Sequence, residues 1–351
     1  MLMVITIVTN ELSPMKNIIV IIVSALPIVM QTSCKESVRN SCIQIDLSSV
    51  PMDPSEIDLD ILTREVSLDN DSIIIGNIVD LVATDSVWFI LDENGSIIRY
   101  PLADGISPKR INSRGHGFGE YIAPVALTSD KDTLYVLDIA TASILKYDTD
   151  LKPLENVQLD HPAQNILICG DNILSDNLDL KSNSNMVIMS DRKGNHIDNL
   201  IPIADVGELD SYRVGNTFME RMQDDVFVLD SKGNTLYMYE DGVMHPAYRY
   251  DFGKRMIPEG KPLDVGNLSQ YAVSTHCFIS GDMVLLSYLL DNQRQYCYYD
   301  VKTGQIKNGT VNATSEGFPF FPRWQHGNEL IGYLESESGE KNGSLLFYTL
   351  K

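Results

Sequence analysis

Short apolar segments alternate with clusters of turn residues from residue 59 to residue 351. The apolar segments are rich in Val, Ile, Tyr and Phe, which favours β-strands. The clusters between them contain Asp, Asn and Gly, which is typical of tight turns. No stretch after residue 34 keeps a long helical period, so we expect helices to be rare. The pattern predicts an all-β domain.

One motif, an apolar residue followed by Leu and Asp, recurs along the chain. Its clear copies end at Asp92, Asp138, Asp230 and Asp291. The first two copies lie 46 residues apart (138 minus 92), and the next step is 92 residues (230 minus 138), so we expect one copy in between. The weaker segment that ends at Asp191 fits that place, and a degenerate copy ends at Glu335.

The residues that follow each copy repeat as well. A turn comes first, then an apolar position, an aromatic residue and a second turn. Each unit is therefore predicted to contain a strand, an Asp turn, a strand, a second turn and a further strand. Four-stranded units of roughly 40–50 residues in tandem are typical of a β-propeller. Six copies predict six blades over residues 59–351.

The two ends of this array predict how the ring closes. The last unit offers only three strands, near residues 320–324, 329–335 and 345–350. One extra strand, residues 63–68, precedes the first unit. Because a ring of blades has no free end only when its termini join, we expect residues 63–68 to be the outermost strand of the last blade. A pair of β-sandwiches is the alternative fold, but its strands would not repeat at a fixed spacing.

The N-terminus has the pattern of a secretory signal peptide over residues 1–33. An apolar run from Ile18 to Met30 follows Lys16, and we expect Met15 to be the true start. The run is shorter than the ~20 residues that a membrane-spanning helix needs. Small and polar residues follow it.

The end of this segment, Thr-Ser-Cys at residues 32–34, resembles the lipobox of bacterial lipoproteins. Gln31 departs from that pattern, which prefers an apolar residue there. The resemblance implies lipidation of Cys34, and the polar residues 34–58 are then predicted to be a lipid-anchored tether. A plain secretory peptide, with Cys34 as a bystander, is the alternative.

Charge and cysteine content narrow the classes of function. The chain has 27 Lys and Arg against 48 Asp and Glu, a formal charge of −21, so we expect no nucleic-acid partner. The cysteines and six histidines lack zinc-site spacing, so we predict no metal. Cys277 and Cys297 lie in two apolar runs; a disulfide is possible in an exported protein, but two buried free thiols are the favoured interpretation.

Residues 114–121 read Arg-Gly-His-Gly-Phe-Gly-Glu-Tyr. Together with residues 71–78 and the Leu-Asp repeats, they are similar to a family of exported six-bladed propeller lipoproteins of anaerobic Gram-negative bacteria, which resemble NHL-repeat propellers. This family typically shows Gly-x-Gly-x-Gly-Glu-Tyr here, and Phe118 stands where Pro is common. The resemblance implies the fold and a location in the outer membrane or periplasm, and it implies no reaction.

Two segments are candidate binding sites. The glycines of residues 115–119 precede no Lys-Ser/Thr, so we interpret them as a tight connection between blades rather than a phosphate loop. If that segment binds a ligand, we expect its polar and aromatic side chains at the rim near the axis: Arg114, His116, Glu120 and Tyr121. The second candidate is an aromatic cluster with Arg323 and Trp324, which would stack on a sugar ring or belong to the blade core.

The sequence contains no recognisable motif for a catalytic nucleophile, and it predicts no catalytic residue and no cofactor. The leading hypothesis is a cell-envelope lipoprotein that acts as a non-catalytic binding or scaffold module for a glycan, peptide or protein partner. The alternative is a propeller enzyme, a lyase or a metal-dependent, lactonase-like hydrolase, with its site at the axial channel. Carboxylates that converge on one cation in the channel would favour the enzyme.

Overall fold

The computed structural model describes residues 42–49, 56–70, 72–103, 105–180, 182–203, 217–223, 225–258, 265–336 and 341–351. The predicted signal peptide, Cys34 and the first part of the predicted tether lie outside the described residues. Within the described residues the strands form six sheets and the helical segments are short. The predicted all-β, six-bladed β-propeller is confirmed.

Two strands precede the first blade, and the next three blades follow in chain order. These strands are β1 (Ile43–Asp46) and β2 (Ile61–Ser67). Blade 1 contains β3 (Ile78–Ala83), β4 (Val87–Asp92), β5 (Ile97–Pro101) and β6 (Lys109–Ile111). Blade 2 contains β7 (Pro124–Asp130), β8 (Thr133–Asp138), β9 (Ser143–Asp148) and β10 (Pro153–Gln158). Blade 3 contains β11 (Ile166–Cys169), β12 (Asn172–Asp176), β13 (Asn185–Asp191) and β14 (His196–Pro202).

The second half of the ring repeats this arrangement. Blade 4 contains β15 (Phe218–Met222), β16 (Asp225–Asp230), β17 (Thr235–Glu240) and β18 (Val243–Asp251). Two 3₁₀ helices follow, Gly253–Arg255 and Val265–Gln270. Blade 5 contains β19 (Val273–Ser280), β20 (Met283–Leu290), β21 (Gln293–Asp300) and β22 (Ile306–Gly309). Blade 6 contains β23 (Trp324–His326), β24 (Glu329–Leu334) and β25 (Ser344–Leu350).

The strand β2 completes blade 6, as the sequence predicts. It pairs antiparallel with β25 along its whole length, with Ile61 opposite Leu350 and Ser67 opposite Ser344. The buried side chain of Asn342 reinforces the junction. Its Nδ2 donates to Leu68 O (2.9 Å), and its Oδ1 accepts from a backbone N–H in the segment that leads into blade 1. The first and last parts of the propeller domain therefore pair within one sheet.

The strand β1 adds an edge that the sequence analysis missed. It runs parallel to β18 as a fifth strand of blade 4. The sequence feature that could have predicted β1 is a short alternation of apolar and polar residues, of which the apolar Ile45 and Leu47 are buried. Further along, Glu56 bridges Thr310 beside blade 5. The described part of the segment predicted as a tether thus lies along the outer edges of the blades, and a free tether stays a prediction for the residues before it.

The hydrophobic core is divided among the interfaces between neighbouring blades. Each pair of adjacent blades encloses one cluster of buried apolar side chains. Cys277 and Cys297 lie in the cluster between blades 4 and 5, on either side of Leu286 in the strand that separates them. Both are buried free thiols, which agrees with the favoured interpretation. Packing between blades therefore holds the ring and fixes the innermost strands around the axis.

Candidate functional site

A channel of about 1100 Å³ follows the axis of the ring. Its walls are the first strands of the six blades, because each blade begins at the axis and ends at the rim. The strands β15 and β23 also contact one another, although they belong to blades that are not neighbours in the ring. Four polar side chains from different blades lie in the channel wall: Asp80, Glu220, His276 and Arg323.

Asp80 joins three blades at the axis. Its Oδ2 accepts from Leu127 N of blade 2 (2.6 Å), and its Oδ1 accepts from Trp324 Nε1 of blade 6 (3.0 Å). Burial raises the pKa of Asp80 to about 6, against the opposing effects of these hydrogen bonds and of the Arg323 guanidinium. The carboxyl is therefore mostly ionised at neutral pH and is held in one orientation.

Glu220 is the second carboxyl of the channel and accepts fewer hydrogen bonds than Asp80. Its Oε1 accepts from Arg221 N at 3.2 Å. Burial, and then the negative charge of Asp80, raise the pKa of Glu220 to about 8. Glu220 is therefore protonated at neutral pH while Asp80 is ionised, so the two carboxyls share the channel without a second full negative charge.

His276 lies at a bulge of β19, where the pairing register shifts. Its ring meets that of Phe218 edge to face, with centroids 5.3 Å apart. Burial, together with the positive charges of Arg294 and Arg323, lowers the pKa of His276 to about 3, so the imidazole is neutral. Within the described part of the chain, its Nδ1 is buried and has no hydrogen-bond partner.

The guanidinium groups of the channel are engaged with the protein itself. Arg323 donates to Ile78 O (3.0 Å) and lies 4.5 Å from the ring centroid of Trp324. Arg221 donates to Ile168 O at 2.5 Å. These two cations therefore link neighbouring blades, blade 6 to blade 1 and blade 4 to blade 3.

The structure places Arg323 and Trp324 in the channel wall, but not as an open platform. Trp324 is only 6% exposed and packs in the cluster between blades 6 and 1. An aromatic ring in the core cannot stack on a sugar, and the indole N–H of Trp324 instead donates to Asp80. Phe321 is the more exposed ring, at 37%, with the Arg294 guanidinium 4.2 Å from its centroid.

The other predicted residues lie on the connection between β6 and β7, and none of residues 114–121 lines the channel. Arg114 donates to Asn94 O (2.7 Å), and Glu120 accepts from the backbone N–H of Gly117 (2.8 Å), so both shape the loop. Tyr121 is fully buried, which raises its pKa to about 12. His116 is exposed on the same loop. As a binding site this loop stays a prediction.

The glycines of this loop have a packing reason. Gly119 has φ = +71°, and a Cβ there would stand 2.4 Å from the Cβ of Pro153 in blade 2. Only glycine combines this left-handed backbone with so close an approach. The interpretation of the segment as a tight connection between blades therefore has direct geometric support.

Asp138, one of the repeated aspartates, closes the second strand of its blade onto the chain that leads into the first strand. Asp138 is fully buried and accepts from Ile122 N (2.9 Å) and Ala123 N (2.8 Å). In blade 3 this role falls to Asp176, which accepts from Gln164 N (2.6 Å), so the predicted copy at Asp191 is wrong. No group of three or more metal-type side chains occurs among the described residues.

Sequence reasoning missed the three channel residues Asp80, Glu220 and His276. It also missed a chain of hydrogen bonds in which His161 contacts Asp160 (2.8 Å) and Ser175 Oγ (2.7 Å). This arrangement resembles a hydrolase triad. However, Ser175 is fully buried and does not line the channel, so no substrate reaches it. We interpret these three residues as a structural network of blade 3.

The channel makes protein stability depend on pH through Glu220. Its pKa is about 8 in the folded protein against an ordinary value of 4.5, so the unfolded chain ionises first as the pH rises. Glu220 therefore lowers the free energy of unfolding between about pH 4.5 and pH 8. We expect Glu220→Gln to stabilise the protein by roughly 3 kcal/mol at pH 9 and by little at pH 5.

Urea denaturation at both pH values checks this prediction. Glu65→Gln is the control, because Glu65 lies on the exposed face of β2 and should change stability little at either pH. An equal effect of Glu220→Gln at pH 5 and pH 9 would contradict the assignment of an uncharged carboxyl.

Solved structures share this fold at low sequence identity. A Bacteroides fragilis NCTC 9343 protein predicted to be exported aligns with a TM-score of 0.71 and 17% identity, over 89% of this chain and all of that one. A DUF4221 member from Bacteroides vulgatus ATCC 8482 aligns with a TM-score of 0.50 and 11% identity, over 83% of this chain and 98% of that one. A Bacteroides thetaiotaomicron VPI-5482 protein of unknown function gives the same TM-score and identity, over 83% of this chain and 76% of that one.

Two further observations bear on the class of protein. In the described ranges, every helix lacks the length and apolar character that a membrane span requires. No curated protein matches the chain. A family profile, in contrast, matches residues 42–342, from the first described residue to the last blade. The chain belongs to the family described as "Domain of unknown function (DUF4934)".

Proposed function

We propose that this protein is a non-catalytic binding module of the bacterial cell envelope and that its axial channel is the ligand site. The observation that carries the proposal is the axial channel of about 1100 Å³, whose wall combines apolar side chains with polar ones from several blades. A large preformed cavity with apolar walls and a few polar groups is typical of ligand sites.

The partner that fits such a channel is small or presents a narrow end, such as a short glycan or a peptide terminus. The rigid ring supports binding without closure, because its blades are joined at both chain ends. Export and lipid anchoring through Cys34 complete the proposal. They rest on the signal-peptide and lipobox patterns, and the predicted export of the Bacteroides fragilis relative agrees with them.

The test is a glycan and peptide array probed with residues 35–351 and with two matched variants. Val79→Trp places a large ring in the channel wall at a side chain that is already 40% exposed. Ile197→Trp makes the same change at an exposed position of β14, outside the channel. We expect Val79→Trp to weaken binding at least tenfold and Ile197→Trp to leave it unchanged.

The array also separates the channel from the glycine loop. If Arg114→Ala abolishes binding while Val79→Trp binds normally, the ligand site is the loop between blades 1 and 2 and the proposal is wrong. Loss of binding in both tryptophan variants would indicate a general defect of folding, which circular dichroism of each variant identifies.

One observation favours an enzyme as the second candidate. Asp80 and Glu220 are two carboxyls in one channel whose environments give them unlike ionisation at neutral pH, and acid–base catalysis uses such pairs. A turnover that is lost in Glu220→Gln, with binding of the same compound retained, would establish this candidate in place of the binding module.

A further inference from the structure

We infer that the guanidinium of Arg294 and the exposed ring of Phe321 form a subsite beside the axial channel that binds the carboxylate of an acidic sugar. This inference rests on the proposed function, since it names the chemical class of ligand for that binding module. Arg294 lies near the start of β21 in blade 5, and Phe321 precedes β23 of blade 6. The subsite therefore lies where these two blades meet.

Direct contacts hold the members of this subsite together. The guanidinium carbon of Arg294 lies 4.2 Å from the centroid of the Phe321 ring. Its Nη1 donates to Ser287 Oγ (3.0 Å) and to Thr275 Oγ1 (3.5 Å). Thr275 itself lines the channel wall. The guanidinium is therefore fixed by one aromatic ring and two hydroxyl groups, next to the channel.

The remaining N–H groups of Arg294 are available to a ligand. Among the described residues, neither its Nε nor its Nη2 has a hydrogen-bond partner. The side chain is half-buried, and neither nitrogen is among the solvent-inaccessible atoms that lack a partner. Nε and Nη2 lie on one edge of the planar guanidinium, so their N–H groups point in nearly the same direction. Such an edge matches the two oxygens of a carboxylate.

The positive charge of Arg294 has no counter-charge among the described residues. Arg64 makes the same kind of stack, 4.2 Å from the centroid of Phe347, but it pairs with Glu329 at 3.2 Å. No described carboxylate pairs with Arg294 or acts on its pKa, although the chain has 48 Asp and Glu against 27 Lys and Arg. A half-buried cation without a counter-charge favours an anionic ligand.

A second guanidinium adds to the positive potential of this region. Burial lowers the pKa of Arg294, and the charge of Arg323 lowers it further, so the two cations are near one another. Arg323 itself donates to Ile78 O (3.0 Å), and the charges of Asp80 and Glu335 oppose the lowering of its pKa by burial. We therefore assign the ligand contact to Arg294 and a longer-range electrostatic effect to Arg323.

The ring of Phe321 favours a sugar as the carrier of the carboxylate. Phe321 is 37% exposed, so part of its apolar surface remains open beside the guanidinium. The carboxylate of a sugar acid is attached directly to a ring that carries C–H groups. One ligand can therefore bind the guanidinium edge and the aromatic surface at once. An inorganic anion uses only the first of these groups, and a neutral sugar uses only the second.

The experiment is isothermal titration calorimetry of residues 35–351 with defined probes. The acidic sugars are the trisaccharides of galacturonate and of mannuronate, and each is compared with its uncharged methyl ester. Sodium sulfate tests a simple anion, and N-acetyl-phenylalanine tests a peptide carboxyl terminus. We expect at least one acidic trisaccharide to bind at least ten times more tightly than its methyl ester and than either of the other two anions.

Three variants give the inference its sharpest test. Arg294→Gln should remove the preference for the acid over its ester, because it deletes both the charge and the pair of N–H donors. Arg294→Lys should restore only part of that preference, since an ammonium keeps the charge without the paired donors. Arg64→Gln is the matched control and should keep the full preference, because Arg64 also stacks on a phenylalanine but already pairs with Glu329.

Several results would overturn the inference. They are equal binding of acid and ester, tighter binding of sulfate or N-acetyl-phenylalanine, no binding of either acidic trisaccharide, and an unchanged preference in Arg294→Gln. Loss of the preference in Arg64→Gln as well as in Arg294→Gln would also count against it. An array ligand that Val79→Trp excludes and Arg294→Gln retains would uphold the channel as the binding site while this inference fails.

Discussion

A chain that begins at residue 69 should lose the stable propeller. It lacks β2, so Leu59, Ile61 and Leu68, all buried in the intact protein, no longer fill the blade interfaces. Burial of three such side chains contributes roughly 5–9 kcal/mol. This is comparable with the whole stability of a typical domain, about 5–15 kcal/mol. The loss also exposes β25 as an unpaired edge, which favours aggregation.

Gel filtration and urea denaturation of three chains test this expectation. The chain that begins at residue 42 keeps both N-terminal strands, and the chain that begins at residue 56 lacks only β1. We expect both to remain folded without aggregating, and the shorter of them to be less stable. A synthetic peptide of residues 56–70, added to the chain that begins at residue 69, should restore the blade. An unchanged free energy of unfolding in that shortest chain would show that pairing of β2 with β25 is not needed to close the ring.

The substitution Asp138→Ala should destabilise the protein by about 3 kcal/mol. The buried carboxylate accepts from Ile122 N and Ala123 N and from the Thr141 hydroxyl (2.9 Å). Its removal leaves backbone N–H groups without partners at the point where the chain enters β7. Because the Asp138 side chain is fully buried, water replaces its carboxylate poorly.

Urea denaturation at pH 7 measures this effect, with Asp132→Ala as the control. Asp132 is an exposed aspartate in the turn before β8, and its loss should change stability by less than about 0.5 kcal/mol. Asp138→Asn should recover part of the loss, because an amide oxygen still accepts one N–H. If Asp138→Ala and Asp132→Ala were equally mild, the repeated aspartates would serve as surface turn residues only.

The blade count was predictable because it depends on local chemistry that repeats. Each Asp turn and each short strand can be recognised from a few neighbouring residues, and the spacing of the copies then gives the ring. The same reasoning failed in blade 3. Asp191 accepts from Lys193 N (2.8 Å) and Asn195 N (2.9 Å) in a tight turn, so its local pattern is that of a true copy. The equivalent residue, Asp176, ends a strand that lacks the Leu-Asp pair.

The candidate site was predictable only in part. Arg323 and Trp324 were selected as an aromatic cluster, and they do reach the channel. Asp80, Glu220 and His276 escaped notice because each lies within a strand whose local sequence carries no recognisable motif. Residues 80 and 220 are 140 positions apart in the sequence, and no local spacing relates them. Their effect on one another arises only when blades 1 and 4 face the same axis.

The sequence by itself determined the repeating unit, the number of blades and the strand that closes the ring. Those features follow from turn preferences and strand pairing, which act between near neighbours or between the two chain ends. Only the tertiary structure decided which side chains meet at the axis and that β1 covers blade 4. The charge states of the channel carboxyls depend on the same packing. Burial and through-space electrostatics depend on distances between residues far apart in the chain, and the ring alone sets those distances.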